Sequence, residues 1–215
     1  MNTEFVKAMK IDNRTFEKIE YFNALGSHWD EHVGNNAERL TAIARVFDDI
    51  ALAEGGSVLD VGCGNGVLFR LILERIGPGG SLTAVDSSPV MLERAKRLHA
   101  GLDNITYVSG IVERIDSFNT MFDTIICFSV FPHIGDKIAA LVKFRETIRP
   151  SGRLYIFHLS DTGSLNSFHH GLESPVHSDV MPFHDELVGM VSESGFALIT
   201  YVDRPGLNFI EMVPC

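Results

Sequence analysis

Three glycines at alternate positions follow an acid in the stretch Asp60-Val61-Gly62-Cys63-Gly64-Asn65-Gly66. Glycine accepts positive φ and lets a ligand approach bare backbone, so the stretch suits a turn that holds a polar group on main-chain donors. A dinucleotide turn has the spacing G-x-G-x-x-G. Here the spacing is G-x-G-x-G, and Val67 stands where that turn has its third glycine. Twenty residues after Gly66, the run Ser81-Leu82-Thr83-Ala84-Val85 ends in Asp86. An acid at the end of a second strand can accept hydrogen bonds from both hydroxyls of a ribose.

Histidine is the other residue type with chemistry to offer, because imidazole takes up a proton near neutral pH. His28, His133, His158, His169 and His170 fall near predicted strand ends or loops. Five of the nine histidines lie between residues 158 and 184. No H-x-x-x-H or C-x-x-C spacing occurs there, and the adjacent pair His169-His170 would face opposite sides of a helix or strand. Solvated or substrate-lining histidines are therefore expected, and no metal.

These residues need elements to position them. Val58, Leu59 and Val61 read as a buried strand, and Val67 to Ile76 as the helix after the glycine turn. Ser88 is a plausible N-cap with Pro89 at the first helical position and Met91, Leu92 and Ala95 as an apolar stripe. Further strands are expected at 105–109, 122–129 and 152–158, with a helix between about Asp136 and Ile148. Residues 195–201 and 207–212 read as a hairpin turning at Arg204-Pro205-Gly206. Before the first strand, the spacing predicts a short helix around Phe5, Val6 and Met9, a second from Thr15 to Ala24, and a long third from Asn35 or Asn36 to Ala53. The segment 158–180 shows no regular period, and a helix follows from His184 to Glu193.

The residues around Asp60 and the three glycines resemble motif I of the class I S-adenosylmethionine (SAM) methyltransferases. The string A-V-D-S-S-P-V-M-L-E-R-A-K, residues 84–96, is similar to their motif II. F-D-T-I-I-C-F-S-V-F-P-H-I, residues 122–134, resembles the family's passage around strand four. L-V-K-F-R-E-T-I-R-P-S-G-R-L-Y-I, residues 141–156, matches its helix, turn and strand, with Ser151 in place of a glycine. The resemblance covers residues 57–213 and is closest to the small-molecule branch that includes quinone-biosynthesis enzymes.

The resemblance implies an α/β fold: a Rossmann-like, doubly wound, seven-stranded, mostly parallel sheet, with an antiparallel last strand and strand order 3-2-1-4-5-7-6. It implies one domain, with a helical cap over 1–54, a core over 55–158 and 195–213, and a lid-like insertion and helix over 159–194. SAM would be the cofactor and S-adenosylhomocysteine the product. Gly62, Cys63, Gly64 and Gly66 would lie against its amino-acid end, with Asp60 orienting that loop. Asp86 would bind the ribose and Ile111 would pack on the adenine, with Ser87, Met91, Gly110 and Val112 also at the cofactor. Ile111 stands where family members usually carry an acid, so apolar packing replaces that contact and Glu113 is the nearest substitute. Phe128 and Ser129 would sit at the edge of strand four. The acceptor pocket is expected from Tyr21, Trp29, Phe131, His169 and His170, with His158, His133 and His28 as candidate bases and His158 nearest the methyl group.

Composition bounds the rest. A length of 215 residues suits one domain with a sizeable core, and a net charge of -10 argues against nonspecific nucleic-acid binding. No apolar run approaches a membrane span, and the polar N-terminus is unlike a signal peptide. Cys63, Cys127 and Cys215 have no paired spacing, so a reducing cytoplasm is the default. A small-molecule substrate and a monomer or homodimer are expected. Two alternatives stand beside the enzyme: a SAM-binding regulator or subunit without transfer activity, and an NAD-dependent oxidoreductase, which the glycine spacing disfavours.

Overall fold

A computed structural model of the chain describes residues 11–26, 37–173 and 175–215. The expected helix around Phe5 and the loop carrying His28 and Trp29 lie outside the described residues.

Seven strands form one sheet: β1 (Ser57–Val61), β2 (Ser81–Asp86), β3 (Ile105–Ser109), β4 (Phe122–Phe128), β5 (Ile148–His158), β6 (Phe196–Arg204) and β7 (Leu207–Pro214). Their order is β3-β2-β1-β4-β5-β7-β6. Pairings from β3 through to β5 are parallel, and β7 runs antiparallel to both β5 and β6. Fold class, strand order and the antiparallel last strand are as the family resemblance implied. The order reverses between β1 and β4, and open α/β sheets hold ligands at the carboxyl ends of strands at such a point.

The strands are covered on both faces, which explains their near-continuous apolar runs. Alternation with period two sends Leu154 and Ile156 of β5 into one core and Tyr155 and Phe157 into the other. The first core also takes Leu59, Ile125, Phe144 and Leu187, and the second takes Val58, Ile126, Phe47 and Phe69.

Seven helices surround the sheet among the described residues. α1 (Asn13–Leu25) starts at Asp12, whose carboxylate accepts from Thr15 N at 2.9 Å. α2 (Ala37–Phe47) is shorter than expected. It tightens after Phe47, where the N–H groups of Asp48, Asp49 and Ile50 bond to carbonyls three residues back. Ala51 N then donates to Tyr155 Oη at 3.2 Å, so the chain leaves the helix well before Ala53. α3 (Phe69–Ile76) begins two residues later than expected, because Gly66 has φ +84 and the turn runs on to Leu68. α4 (Pro89–Leu98) follows the Ser88 cap as anticipated, with Ser88 Oγ accepting from Met91 N at 3.2 Å. α5 (Lys137–Thr147) is capped by Asp136. β5 starts four residues early and carries the Arg149-Pro150-Ser151-Gly152 turn as an irregularity within the strand.

α6 (Thr162–His170) was not expected; it lies in the segment read as irregular. Its sequence offers almost no apolar stripe, but Asp161 caps it through Ser164 N at 2.9 Å. It is held by tertiary bonds instead. Thr162 N donates to Asp203 Oδ1 at 2.8 Å. Asn166 exchanges two hydrogen bonds with the backbone of Met181, at 2.9 and 2.7 Å, which pins the following loop onto the helix. α7 (His184–Glu193) packs Leu187 and Val191 into the first core.

Candidate functional site

A cavity of about 860 Å³, open to solvent, lies at the carboxyl ends of β1, β2, β3 and β4. It has two halves of different construction.

Strand ends and the turns after them build the first half. Gly62 and Gly64 present bare backbone to the cavity, with φ +64 and +54. A Cβ on Gly62 would come within 2.1 Å of Val130, so this position admits only glycine without displacement. Asp86 ties the two halves of the βαβ unit together. Its Oδ2 accepts from Gly64 N and its Oδ1 from Ser88 N, both at 2.8 Å. A carboxylate has about four lone-pair sites, so two remain for a ligand. Burial pushes its pKa up to about 6, against the two backbone bonds that favour the charged form. Met91, Ile111 and Val112 give this half an apolar floor, with Ser87, Gly110 and Glu113 beside them. Ser129 lines the cavity with φ +54, an uncommon conformation for a non-glycine residue.

Asp60 lies beneath the glycine turn rather than on the cavity wall. It is buried, and its Oδ2 has no hydrogen-bond partner among the described residues. Burial and then the charge of Asp86 push its pKa well above the usual carboxylate range.

The second half comes from α1 and the turn after β4. Thr15, Lys18, Ile19 and Phe22 line it from one face of α1, opposite Val130, His133 and Ile134. Asp179, only 2% exposed, gathers the polar groups. It accepts from Arg14 Nη2 at 2.8 Å and Lys18 Nζ at 3.1 Å, and its Oδ2 lies 2.9 Å from His133 Nδ1. Lys18 Nζ also donates to His133 O at 2.8 Å. Burial alone would raise the Asp179 pKa, but the hydrogen bond from His133 and the Lys18 charge outweigh it and lower the value. The His169 ring is centred 4.9 Å from that of His133. His158 lies deeper, and burial, with the neighbouring His133 and His169, pushes its pKa down to about 3.

The structure brings together on the wall Gly62, Gly64, Asp86, Ser87, Met91, Gly110, Ile111, Val112, Ser129 and His133. It sets others elsewhere. Cys63 and Gly66 turn away from the cavity, and a Cβ on Gly66 would meet Phe69 and His99. Phe128 is buried and stacks on Phe157 at 4.6 Å. Phe131 is fully buried in the first core. Tyr21 yields its place to Phe22, with which it makes an edge contact at 5.4 Å. His158 is buried behind the wall, so His133 replaces it as the histidine at the cavity, since a side chain at position 158 follows Leu154 and Ile156 into the core. His169 is buried beside His133, whereas His170 is exposed on the opposite face of α6. The residues that sequence reasoning missed are Thr15, Lys18, Ile19, Phe22 and Asp179. The first four repeat at helical spacing, a signal that was present; Asp179 had none.

Among the described residues, no group of three or more His, Cys, Asp or Glu is arranged to hold a metal ion. No helix among them is long and apolar enough to cross a membrane.

Comparison with known proteins adds the following. Residues 58–152 match the methyltransferase domain family model. The mitochondrial ubiquinone biosynthesis O-methyltransferase of Schizosaccharomyces pombe is 31% identical over 170 residues, which is 74% of this chain and 60% of that protein. A demethylmenaquinone methyltransferase of Staphylococcus aureus is 28% identical over 116 residues, 54% of this chain and 48% of that protein. The chain thus spans about half the length of these curated relatives. A SAM-dependent methyltransferase from Aquifex aeolicus shares the fold, with a TM-score of 0.70 at 18% identity over 90% of this chain and 98% of that one. The DhpI–SAH complex also has a TM-score of 0.70 at 18% identity, over 93% and 96% of the two chains.

Proposed function

We propose that the chain is a class I SAM-dependent methyltransferase that transfers a methyl group from SAM to a small-molecule acceptor. One observation carries this reading. The Asp86 carboxylate, with lone pairs to spare, stands beside the bare backbone of Gly62 and Gly64 at the sheet's switch point.

These residues suit SAM on their own chemistry. Asp86 accepts the ribose hydroxyls. Gly62 and Gly64 face the amino-acid end, where no Cβ stands between the ligand and the backbone. Asp60 supports that turn from beneath. Met91, Ile111 and Val112 pack on the adenine, which explains how the site works without an acid at position 111. SAM supplies an electrophilic methyl on a sulfonium, and the protein has to align the acceptor and exclude water. α1 and the turn after β4 form the wall that does so, and no described residue of the insertion 159–194 lines the cavity.

Calorimetry with SAM, S-adenosylhomocysteine and NAD tests the cofactor. Tight binding of the first two is expected, and binding of NAD alone would end the proposal. Incubating the protein with labelled SAM and a metabolite extract, then weighing the labelled product, separates an enzyme from a binding protein.

A further inference from the structure

Resting on the methyltransferase reading, the geometry points to His133 as the general base for an acceptor hydroxyl, positioned by Asp179.

Of the described histidines, His133 is the one on the cavity wall. It ends the short turn Phe131–His133 after β4, and its side chain is 19% exposed. Its Nδ1 faces Asp179 Oδ2 at 2.9 Å. Asp179 is nearly sealed from solvent and also accepts from Arg14 and Lys18. So surrounded, it stays ionised, and an ionised carboxylate can only accept. The proton of a neutral His133 ring must therefore sit on Nδ1. The lone pair is left on Nε2, the nitrogen that Asp179 does not use. A base oriented by a buried acid on its far nitrogen is a recurrent solution for proton abstraction.

The neighbours keep that role on His133. The groups facing it are Lys18 and Arg14 from α1, Asp179, His169 from α6 and His158 from β5, with Lys137 close to the same carboxylate. Burial lowers the pKa of His169 and pushes that of His158 to about 3, so both rings stay neutral beside it. Lys18 and Arg14 are engaged by Asp179.

The same wall bounds the acceptor. Phe22 meets the His133 ring edge-on at 5.1 Å, and Ile19, Val130 and Ile134 continue an apolar surface beside it.

In the step itself, His133 Nε2 takes the hydroxyl proton as the oxygen lone pair forms a bond to the methyl carbon. The carbon–sulfur bond breaks, and its electron pair stays on sulfur. The products are a methyl ether, S-adenosylhomocysteine and an imidazolium that Asp179 stabilises until the proton leaves to solvent. Asp179 touches no reacting atom and is a positioning residue.

Three measurements on the full chain test this. Long-range ¹H–¹⁵N spectra of the imidazoles should show His133 as the Nδ1–H tautomer, and Asp179→Asn should lose that preference while Asp179→Glu restores it. A wild-type His133 protonated mainly on Nε2 overturns the dyad, whatever the cofactor result. The labelled product from the metabolite extract should carry its methyl on an oxygen; methyl on nitrogen, sulfur or carbon overturns the hydroxyl acceptor. With that acceptor, His133→Gln should lower kcat by about a hundredfold to ten-thousandfold. SAM affinity and acceptor KM should stay within about threefold, which also shows that the variant is folded. A loss confined to KM would make His133 a binding residue and overturn the proposal. If SAM does not bind the wild type, the methyltransferase reading fails, and the tautomer measurement still decides the dyad.

Discussion

The two halves of the cavity are built on different principles. The half around Asp86 is made of backbone: glycine turns, strand ends and main-chain donors aimed at one carboxylate. Apart from Ser129, its parts lie within residues 60–113, each a few residues from a strand end. The half around His133 is made of side chains from distant places. Lys18 and Asp179 are 161 residues apart, and His133 and Asp179 are 46 apart. The first half can therefore keep one shape while the second varies with the acceptor. Four perturbations test whether the halves are that separate.

The largest effect is expected at Gly62. Its φ is +64, and an added Cβ would meet Val130 at 2.1 Å. A left-handed conformation costs a non-glycine residue about 1–2 kcal/mol, and overpacking about 1–3 kcal/mol more. Gly62→Ala should lose about 2–5 kcal/mol of folding stability in urea titrations, with SAM binding abolished or strongly weakened. A loss under about 1 kcal/mol would show that the turn is softer than its geometry implies.

Next comes Asp86→Ala. Hydrogen bonds to a charged group contribute about 1.5–3 kcal/mol. SAM affinity should fall by roughly tenfold to a hundredfold in calorimetry. Unchanged binding would remove Asp86 from the site.

This half was the legible one, for a physical reason. A glycine needed for positive φ, a Ser-Pro helix start and an acid ending a strand are local requirements, and a contiguous string satisfies each. Strand order came instead from the family resemblance that those strings carry. The other half was legible only in pieces. Thr15, Lys18, Ile19 and Phe22 show helical spacing, but nothing in the string says what that face covers. A lysine inside an otherwise apolar stripe was the trace of a buried partner. Asp179 stands in a segment without period, and only folding brings it to Lys18 and His133. Similarly, α6 is held by Asp203 and Met181 rather than by its own pattern, so it was read as irregular. His158 does end β5, but the side-chain alternation of that strand aims it at the core rather than at the cavity.

The third perturbation is pH. Asp86 has its pKa pushed up to about 6 by burial. Because the native value is raised, ionisation of this group works against folding: its stabilising contribution is complete below the unfolded value of about 3.9 and is lost as pH rises through about 6. Ligand binding has the opposite sign, since ribose hydroxyls donate to the ionised form. Apparent SAM affinity should fall by about tenfold between pH 7.5 and 5, as the ionised fraction drops. Asp86→Asn should flatten that dependence. A wild-type affinity that stays level over the same range would place the titrating group elsewhere.

The smallest effect is expected on the other side of the cavity, and it bears most directly on the separation of the halves. Lys18 is 10% exposed at its side chain and donates both to Asp179 at 3.1 Å and to His133 O at 2.8 Å. Lys18→Met keeps the apolar stem that packs along α1 and removes only the charged head. Each lost bond to a charged group would contribute about 1.5–3 kcal/mol if its partner were stranded. The partner is not stranded here. Arg14 and His133 still pair with Asp179, and one exposed end of the network can relax. A net loss of about 1 kcal/mol is expected, read as a shift of the urea midpoint. SAM affinity, which the proposal assigns to backbone groups and Asp86 on the far wall, should change by less than about twofold. If Lys18→Met weakened SAM as much as Asp86→Ala does, α1 would be part of the cofactor site. The cavity would then be one cooperative unit rather than a fixed wall facing an adaptable one.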